Sequence, residues 1–375
     1  MRISSTFDSG NIEVVKAESP DDLQLNIRRD HQSDFYQWFH FRLVGEPGVT
    51  HRLRILNASG AAYPKGWENY RAMASYDRET WFRVDTEYEN GELVITHLLE
   101  HESVYFAYFV PYSHEQHQDM IQEAQQSHLC RVEDLGTTLD GRDLSLLVIG
   151  DEASARRKIW MTARQHPGET MAEWFVEGFL ERLLDTDDAM ARTLLQDAVF
   201  YVVPNMNPDG SVRGHLRTNA AGVNLNREWA EPSLEKSPEV FHVREKMKQT
   251  GVDLFLDIHG DEAIPYNFLA DTSGVPSFND RIASLQTRFQ SAFLAATPEF
   301  QTRHGYPKDE PGQANLTLGC TWVGDHFNCL AYTLEMPFKD NDDLPDELYG
   351  WSEVRSMQLG RDILPAIRAV VPDLR

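Results

Sequence analysis

Residues 158–171 read Lys-Ile-Trp-Met-Thr-Ala-Arg-Gln-His-Pro-Gly-Glu-Thr-Met. The apolar stretch 158–163 predicts a strand, and a helical pattern follows over 171–184. Between them Pro167 and Gly168 favour a tight turn, which carries His166 and Glu169. A strand that runs through a short loop into a helix is the unit from which α/β domains are built.

The alternation continues outward. Strands are expected over 143–149, 198–203, 252–258 and 331–334, and helices over 114–127, 280–295 and 351–370. The expected fold is an α/β domain with a mixed, mainly parallel sheet flanked by helices. Before residue 114 the texture differs. Segments 35–43, 50–56 and 103–110 have period-2 character, and turn signals such as Gly45-Glu46-Pro47-Gly48 and Asn90-Gly91 separate such segments. No long amphipathic helix interrupts them, which predicts an antiparallel β-sandwich. A chain of 375 residues is long enough for two domains. The expected division is a β-sandwich over 1–113 and the α/β domain over 114–375, with Ser113 as the N-cap of the first helix. There is no internal repeat and no low-complexity tract.

The turn after the first quoted strand brings His166 and Glu169, three apart, to one side, where an imidazole nitrogen and a carboxylate can face one ion. A third ligand must come from elsewhere. The apolar strand 252–258 ends at His259-Gly260, and ligands of open α/β sheets bind beyond the carboxyl ends of strands. Two neutral imidazoles and one carboxylate leave a fourth position for water, the arrangement of a catalytic zinc. Near the end, Tyr332-Thr333-Leu334-Glu335-Met336-Pro337 sets a carboxylate in an apolar strand.

His166-Pro167-Gly168-Glu169, Asn207-Pro208-Asp209-Gly210, Gly222-Val223-Asn224-Leu225-Asn226-Arg227 and Thr333-Leu334-Glu335 occur in an order that resembles the zinc metallocarboxypeptidase family. The closer resemblance is to its cytosolic, tubulin-deglutamylating branch. It spans residues 142–337, and Gln37-Trp38-Phe39-His40-Phe41-Arg42 and Pro111-Tyr112-Ser113 extend it to that branch's β-rich N-terminal domain. The resemblance implies one zinc ion per chain on His166, Glu169 and His259, with Glu335 as general base, a role that suits a desolvated carboxylate. It implies Arg217 as the cation facing the oxyanion, with Arg213 the alternative occupant, and Asn226 and Arg227 as the clamp for the substrate's terminal carboxylate. Tyr306 is the candidate for the family's mobile tyrosine, whereas Tyr332 reads as core. Asn224 stands where many relatives carry Asp, so the group behind one metal-bound imidazole is less anionic. Asp257, two residues before His259 on the same strand face, is either a source of that charge or an ordinary paired polar residue.

The implied reaction is hydrolysis of the C-terminal peptide bond, or of an isopeptide-linked glutamate, in peptides or proteins. An acidic C-terminal residue would need a cation in the specificity pocket, and Arg303 and Lys308 precede Glu335 on a loop from which they could project. A zinc amidohydrolase of N-acyl amino acids or cell-wall peptides, and a peptide-binding module without turnover, are the alternatives. Retention of all three ligands together with Glu335 argues against the module.

Composition narrows the partners. Lys plus Arg total 35 against 59 Asp plus Glu, a formal charge of -24 that repels nucleic acid and anionic membrane. The three cysteines, Cys130, Cys320 and Cys329, form no C-x-x-C pair, so neither a disulfide framework nor a thiolate metal site is expected. The opening residues 1–18 hold no apolar signal core, and no run approaches the ~18 apolar residues of a membrane span. These features lead to the expectation of a soluble cytoplasmic protein.

Overall fold

Four parallel strands form the middle of a seven-stranded sheet in the computed structural model, which describes residues 1–375. Their spatial order is Ala198–Val203, Arg157–Ala163, Leu254–Asp261 and Leu330–Pro337, each hydrogen-bonded to the next. Asp143–Ile149, then Cys130–Thr137, extend one edge in antiparallel fashion, and Phe268–Asp271 closes the other. Helices Met171–Leu183, Ala189–Asp197, Pro238–Thr250, Asp280–Ala296 and Gly319–Phe327 connect and cover the sheet. The central strands are apolar on both faces because both faces are covered: every residue of Ala198–Val203 and all but the last of Leu254–Asp261 is buried.

The N-terminal third consists of two five-stranded sheets. Leu23, Leu25, Leu53, Ile55 and Ile95 of one and Phe41, Leu43, Val104 and Phe106 of the other belong to a common apolar core. The sandwich is antiparallel except for one pair, Leu23–Asn26 beside Thr50–Ile55, which runs parallel. The strand expected over 35–43 begins only at His40. Residues before it bond to loops: Gln37 accepts from Tyr63 N through its Oε1 at 2.8 Å and donates to Tyr63 O through its Nε2 at 3.1 Å.

Helix His114–Ala124 starts as expected, with Ser113 Oγ accepting from Gln116 N and the Gln116 side chain accepting from Ser113 N. The terminal helix expected over 351–370 is broken into Glu353–Asp362 and Leu364–Val370, because Pro365 supplies no N–H and opens the second piece. No helix is long and apolar enough to cross a membrane.

Candidate metal centre and active site

The turn 164–170 is built by side chains behind it. Arg164 is a non-glycine residue at φ 55, a conformation that persists only where the surroundings enforce it. Its buried guanidinium donates to Pro167 O at 2.8 Å, to Tyr112 O at 3.0 Å and to Glu173 Oε2 at 2.5 Å. Glu173 is held in turn by His117 at 2.7 Å and Asn205 at 2.9 Å. The segment 207–210 packs on this turn. Asn207 caps helix Pro208–Arg213 and donates to Gln165 O. A Cβ on Gly210 would lie 2.4 Å from the Pro167 ring and 2.5 Å from Thr218 O, so only glycine allows this approach.

His166, Glu169 and His259 converge. Their nearest ligand atoms all lie within 4.8 Å of one another, and all three side chains are buried. Glu169 bridges the imidazoles, with Oε1 2.6 Å from His166 Nδ1 and Oε2 2.8 Å from His259 Nδ1. Strand pairing sets the next residue: His259 stands in register opposite Glu335 on the adjacent parallel strand. A shift of one residue would turn Glu335 to the other face of the sheet.

The chemistry of the donor set decides what fits here. Asn226 N donates to Asn224 Oδ1 at 3.1 Å, which marks that oxygen as an acceptor. His166 Nε2, also 3.1 Å from it, must therefore be the donor. Burial first, then Arg217, hold the His166 imidazole down at about 4, so near pH 7 it is neutral. With the proton on Nε2, the Nδ1 lone pair faces a carboxylate oxygen at 2.6 Å. Two electron-rich atoms that close call for a cation beside them. Two imidazole nitrogens and a carboxylate are the donors that zinc takes in catalytic sites.

Behind His259, Asp257 Oδ2 lies 3.0 Å from Nε2, off the line of a good hydrogen bond. Asp257 is held by Thr162 Oγ1 at 2.7 Å and Gln165 Nε2 at 2.6 Å. The carboxylate behind one imidazole is thus present, while the partner of the other is the amide of Asn224. Glu335 is buried, and its Oε2 has no hydrogen-bond partner. Burial, with Glu169, Asp261 and Glu262 nearby, raises its carboxyl well above the ordinary range despite His259.

A cleft of about 390 Å³ opens over these groups, lined by Arg217, Asn226, Arg227, Tyr306 and Lys308 as well as His166, Glu169 and Glu335. Asn226 Oδ1 accepts from Gly319 N at 2.8 Å, which leaves its amide nitrogen as the remaining donor. Tyr306 reaches in from an exposed loop, its hydroxyl donating to Asp261 Oδ2 at 2.6 Å and approaching Glu335 Oε1 at 3.2 Å. Arg213 is not in the cleft: it forks onto Asp140 at 2.8 and 2.7 Å. Arg303 also lies outside, paired with Asp343 at 2.7 Å. Lys308 lines the cleft, but its ammonium is 2.8 Å from Asp271 Oδ2.

Sequence reasoning missed three groups. Gln165 joins Asp257 to the Trp229 indole, and only its place inside the turn could have pointed to it. Glu262, buried three residues past His259, adds a carboxylate to the cleft wall. Tyr63 enters the cleft lining from a loop of the N-terminal domain, and no local pattern announces it.

Residues 3–109 match the cytosolic carboxypeptidase N-terminal domain, and residues 117–351 match the zinc carboxypeptidase family. The uncharacterized protein ZMO1242 of Zymomonas mobilis is 49% identical over 374 residues, covering 100% of this chain and 97% of that protein. Human cytosolic carboxypeptidase 1 is 29% identical over 289 residues, covering 65% of this chain, and the match spans only 24% of the human protein. Among solved structures, a metallo-carboxypeptidase from Burkholderia cenocepacia superposes with a TM-score of 0.97 at 49% identity, over 99% of each chain. A metallo-carboxypeptidase from Pseudomonas aeruginosa, in complex with (2-guanidinoethylmercapto)succinic acid, does so with a TM-score of 0.97 at 48% identity, over 100% of each chain. With two imidazoles and a carboxylate converging beside a buried carboxylate and a cleft that carries two arginines, assembled on this fold, the chain belongs to the zinc carboxypeptidase family and is a metallocarboxypeptidase.

Proposed function

We propose that the chain removes the C-terminal residue of peptides or proteins in the cytoplasm, using one zinc ion held by His166, Glu169 and His259. The observation that carries this reading is the juxtaposition, in one cleft, of that ligand trio, a buried carboxylate and two arginines. The proposed division of labour between domains falls at residues 1–113 and 114–375. Zinc, when bound, supplies Lewis acidity towards water and the scissile carbonyl.

The protein's own groups do the rest. Glu335, raised and unpartnered at Oε2, accepts the proton of the attacking water and returns it to the departing amine. Arg217 offers a permanent cation to the charge that develops on the carbonyl oxygen. Arg227 and the amide of Asn226 grip the free carboxylate, so that only chain ends are placed for reaction. Tyr306, donating between Asp261 and Glu335, covers the reacting groups from the loop side.

Arg227→Ala is expected to raise KM about 10- to 100-fold for substrates with a free C-terminus, since hydrogen bonds to charged groups contribute about 1.5–3 kcal/mol. Steady-state kinetics on a peptide and its C-terminal amide check this. An unchanged KM would remove Arg227 from the clamp.

For the released residue, the proposed preference is acidic, with Lys308 as the cation in the cleft wall. Asp271 supports a second reading. Its side chain is 7% exposed whereas that of Lys308 is 72% exposed, so the fixed charge is the carboxylate and the movable one the ammonium. A basic C-terminal residue would take the place of Lys308 on Asp271, and the guanidinium in the ligand of the Pseudomonas relative favours the same choice. Matched peptides ending in Glu, Phe and Lys decide. Fastest release of Glu supports the first reading, of Lys the second, and of Phe neither.

A further inference from the structure

Arg217 is unusual among the cleft cations in how it is held. Its side chain makes no hydrogen bond or ion pair within the protein, and its buried Nε has no partner. Two rings from loops of the N-terminal domain flank it instead, the guanidinium carbon lying 5.5 Å from the centroid of Phe35 and 5.4 Å from that of Tyr63. Aromatic faces attract a cation without occupying its N–H donors. A carboxylate in the same place would neutralise the charge and use up the donors.

The backbone beneath is held from the same side. The buried carboxylate of Asp30 accepts from Leu216 N at 2.7 Å, Arg217 N at 2.8 Å, Thr218 N at 2.9 Å and Thr218 Oγ1 at 3.1 Å. His31 N donates to His215 Nε2 at 3.0 Å, and Asn11 donates to Gly214 O at 2.8 Å. Gly214, at φ +71, lies so close that a Cβ there would sit 2.7 Å from Ser9 O. The rings are braced as well. Asp30 N donates to Phe35 O at 2.8 Å, and fully buried Gln37 holds Tyr63 by both ends of its backbone.

The geometry points to loops of the N-terminal domain, those carrying Asp30, Phe35 and Tyr63, as the positioning element of the reaction. Asp30 sets the backbone of Arg217, and Phe35 and Tyr63 set its guanidinium with the donors unspent, so the oxyanion-facing cation is in place only when this domain is docked. The inference rests on the role given to Arg217 above. It accounts for Asp30, Phe35, Gln37 and Tyr63, which the chemistry of the metal centre leaves without a task.

The test uses the full-length, zinc-loaded chain and the best substrate of the peptide panel. Tyr63→Leu is expected to lower kcat about tenfold, the scale of a desolvated cation–π contact, with KM within about twofold. Tyr63→Phe, which keeps the ring, restores most of that loss. In an Arg217→Ala background, itself down about 10²–10³-fold in kcat, Tyr63→Leu costs nothing further. An equal loss in both backgrounds overturns the inference, because Tyr63 would then act on substrate or on the fold. If Arg217→Ala lowers kcat and Tyr63→Leu does not, the inference falls while the role of Arg217 stands. If Arg217→Ala is without effect, both fall. A readout independent of turnover is the rate at which phenylglyoxal modifies Arg217, followed by mass spectrometry. Tyr63→Leu should accelerate it severalfold, and an unchanged rate overturns the inference whether or not any peptide is cleaved.

Discussion

Glu335→Gln is expected to lower kcat by about 10²–10⁴-fold, the range that positioned proton transfer contributes, while zinc content stays at the wild-type level. The substitution keeps shape and hydrogen-bonding capacity but removes the group that takes the proton. Stability should not suffer. The carboxyl is buried and already pushed well above its usual range by burial and by Glu169, Asp261 and Glu262, so a neutral amide replaces a strained acid. The experiment pairs metal analysis with kinetics on one C-terminal peptide. Loss of zinc would make Glu335 a ligand, and retained turnover would remove it as the base.

His166→Ala is expected to lose both metal and activity. It takes away one of the three proposed ligands, and even the loss of a partner behind a ligand weakens metal binding about 10- to 100-fold, so the direct loss should exceed that. It also leaves the Glu169 carboxylate facing His259 alone, where the bridge had been shared between two imidazoles. Zinc titration by equilibrium dialysis measures the affinity, and thermal unfolding with and without chelator gives an independent reading. In the wild type, chelator should lower Tm, because a metal that binds only the folded chain stabilises it. In His166→Ala it should change nothing. Wild-type zinc affinity in the variant would take His166 out of the ligand set.

Local sequence carried most of the fold and named His166, Glu169 and His259, the three side chains that converge. The strands over 143–149, 157–163 and 198–203 and the helix over 171–183 could be read because apolar period and turn chemistry act over a few residues. Helix Gly319–Phe327 could not. It opens on glycine, and its N-terminus is held by the distant Asn226 side chain, so tertiary contact overrides weak propensity. The helix Pro238–Thr250 did carry a signal in Val240, Val243 and Met247, spaced three and four apart, within an otherwise polar stretch.

Side-chain identity alone named the groups able to bind a metal, move a proton or grip a carboxylate, since that capacity belongs to the functional group wherever the chain carries it. Which cations remain available was decided only in three dimensions. Arg213 is taken by Asp140, Arg303 by Asp343 and Lys308 by Asp271, whereas Arg217 is left to two aromatic rings. Asp140 lies 73 residues from Arg213 and Asp30 lies 187 from Arg217. A charge is spent or kept according to what folding brings within a few ångströms of it, and no pattern local to either segment records a partner that distant.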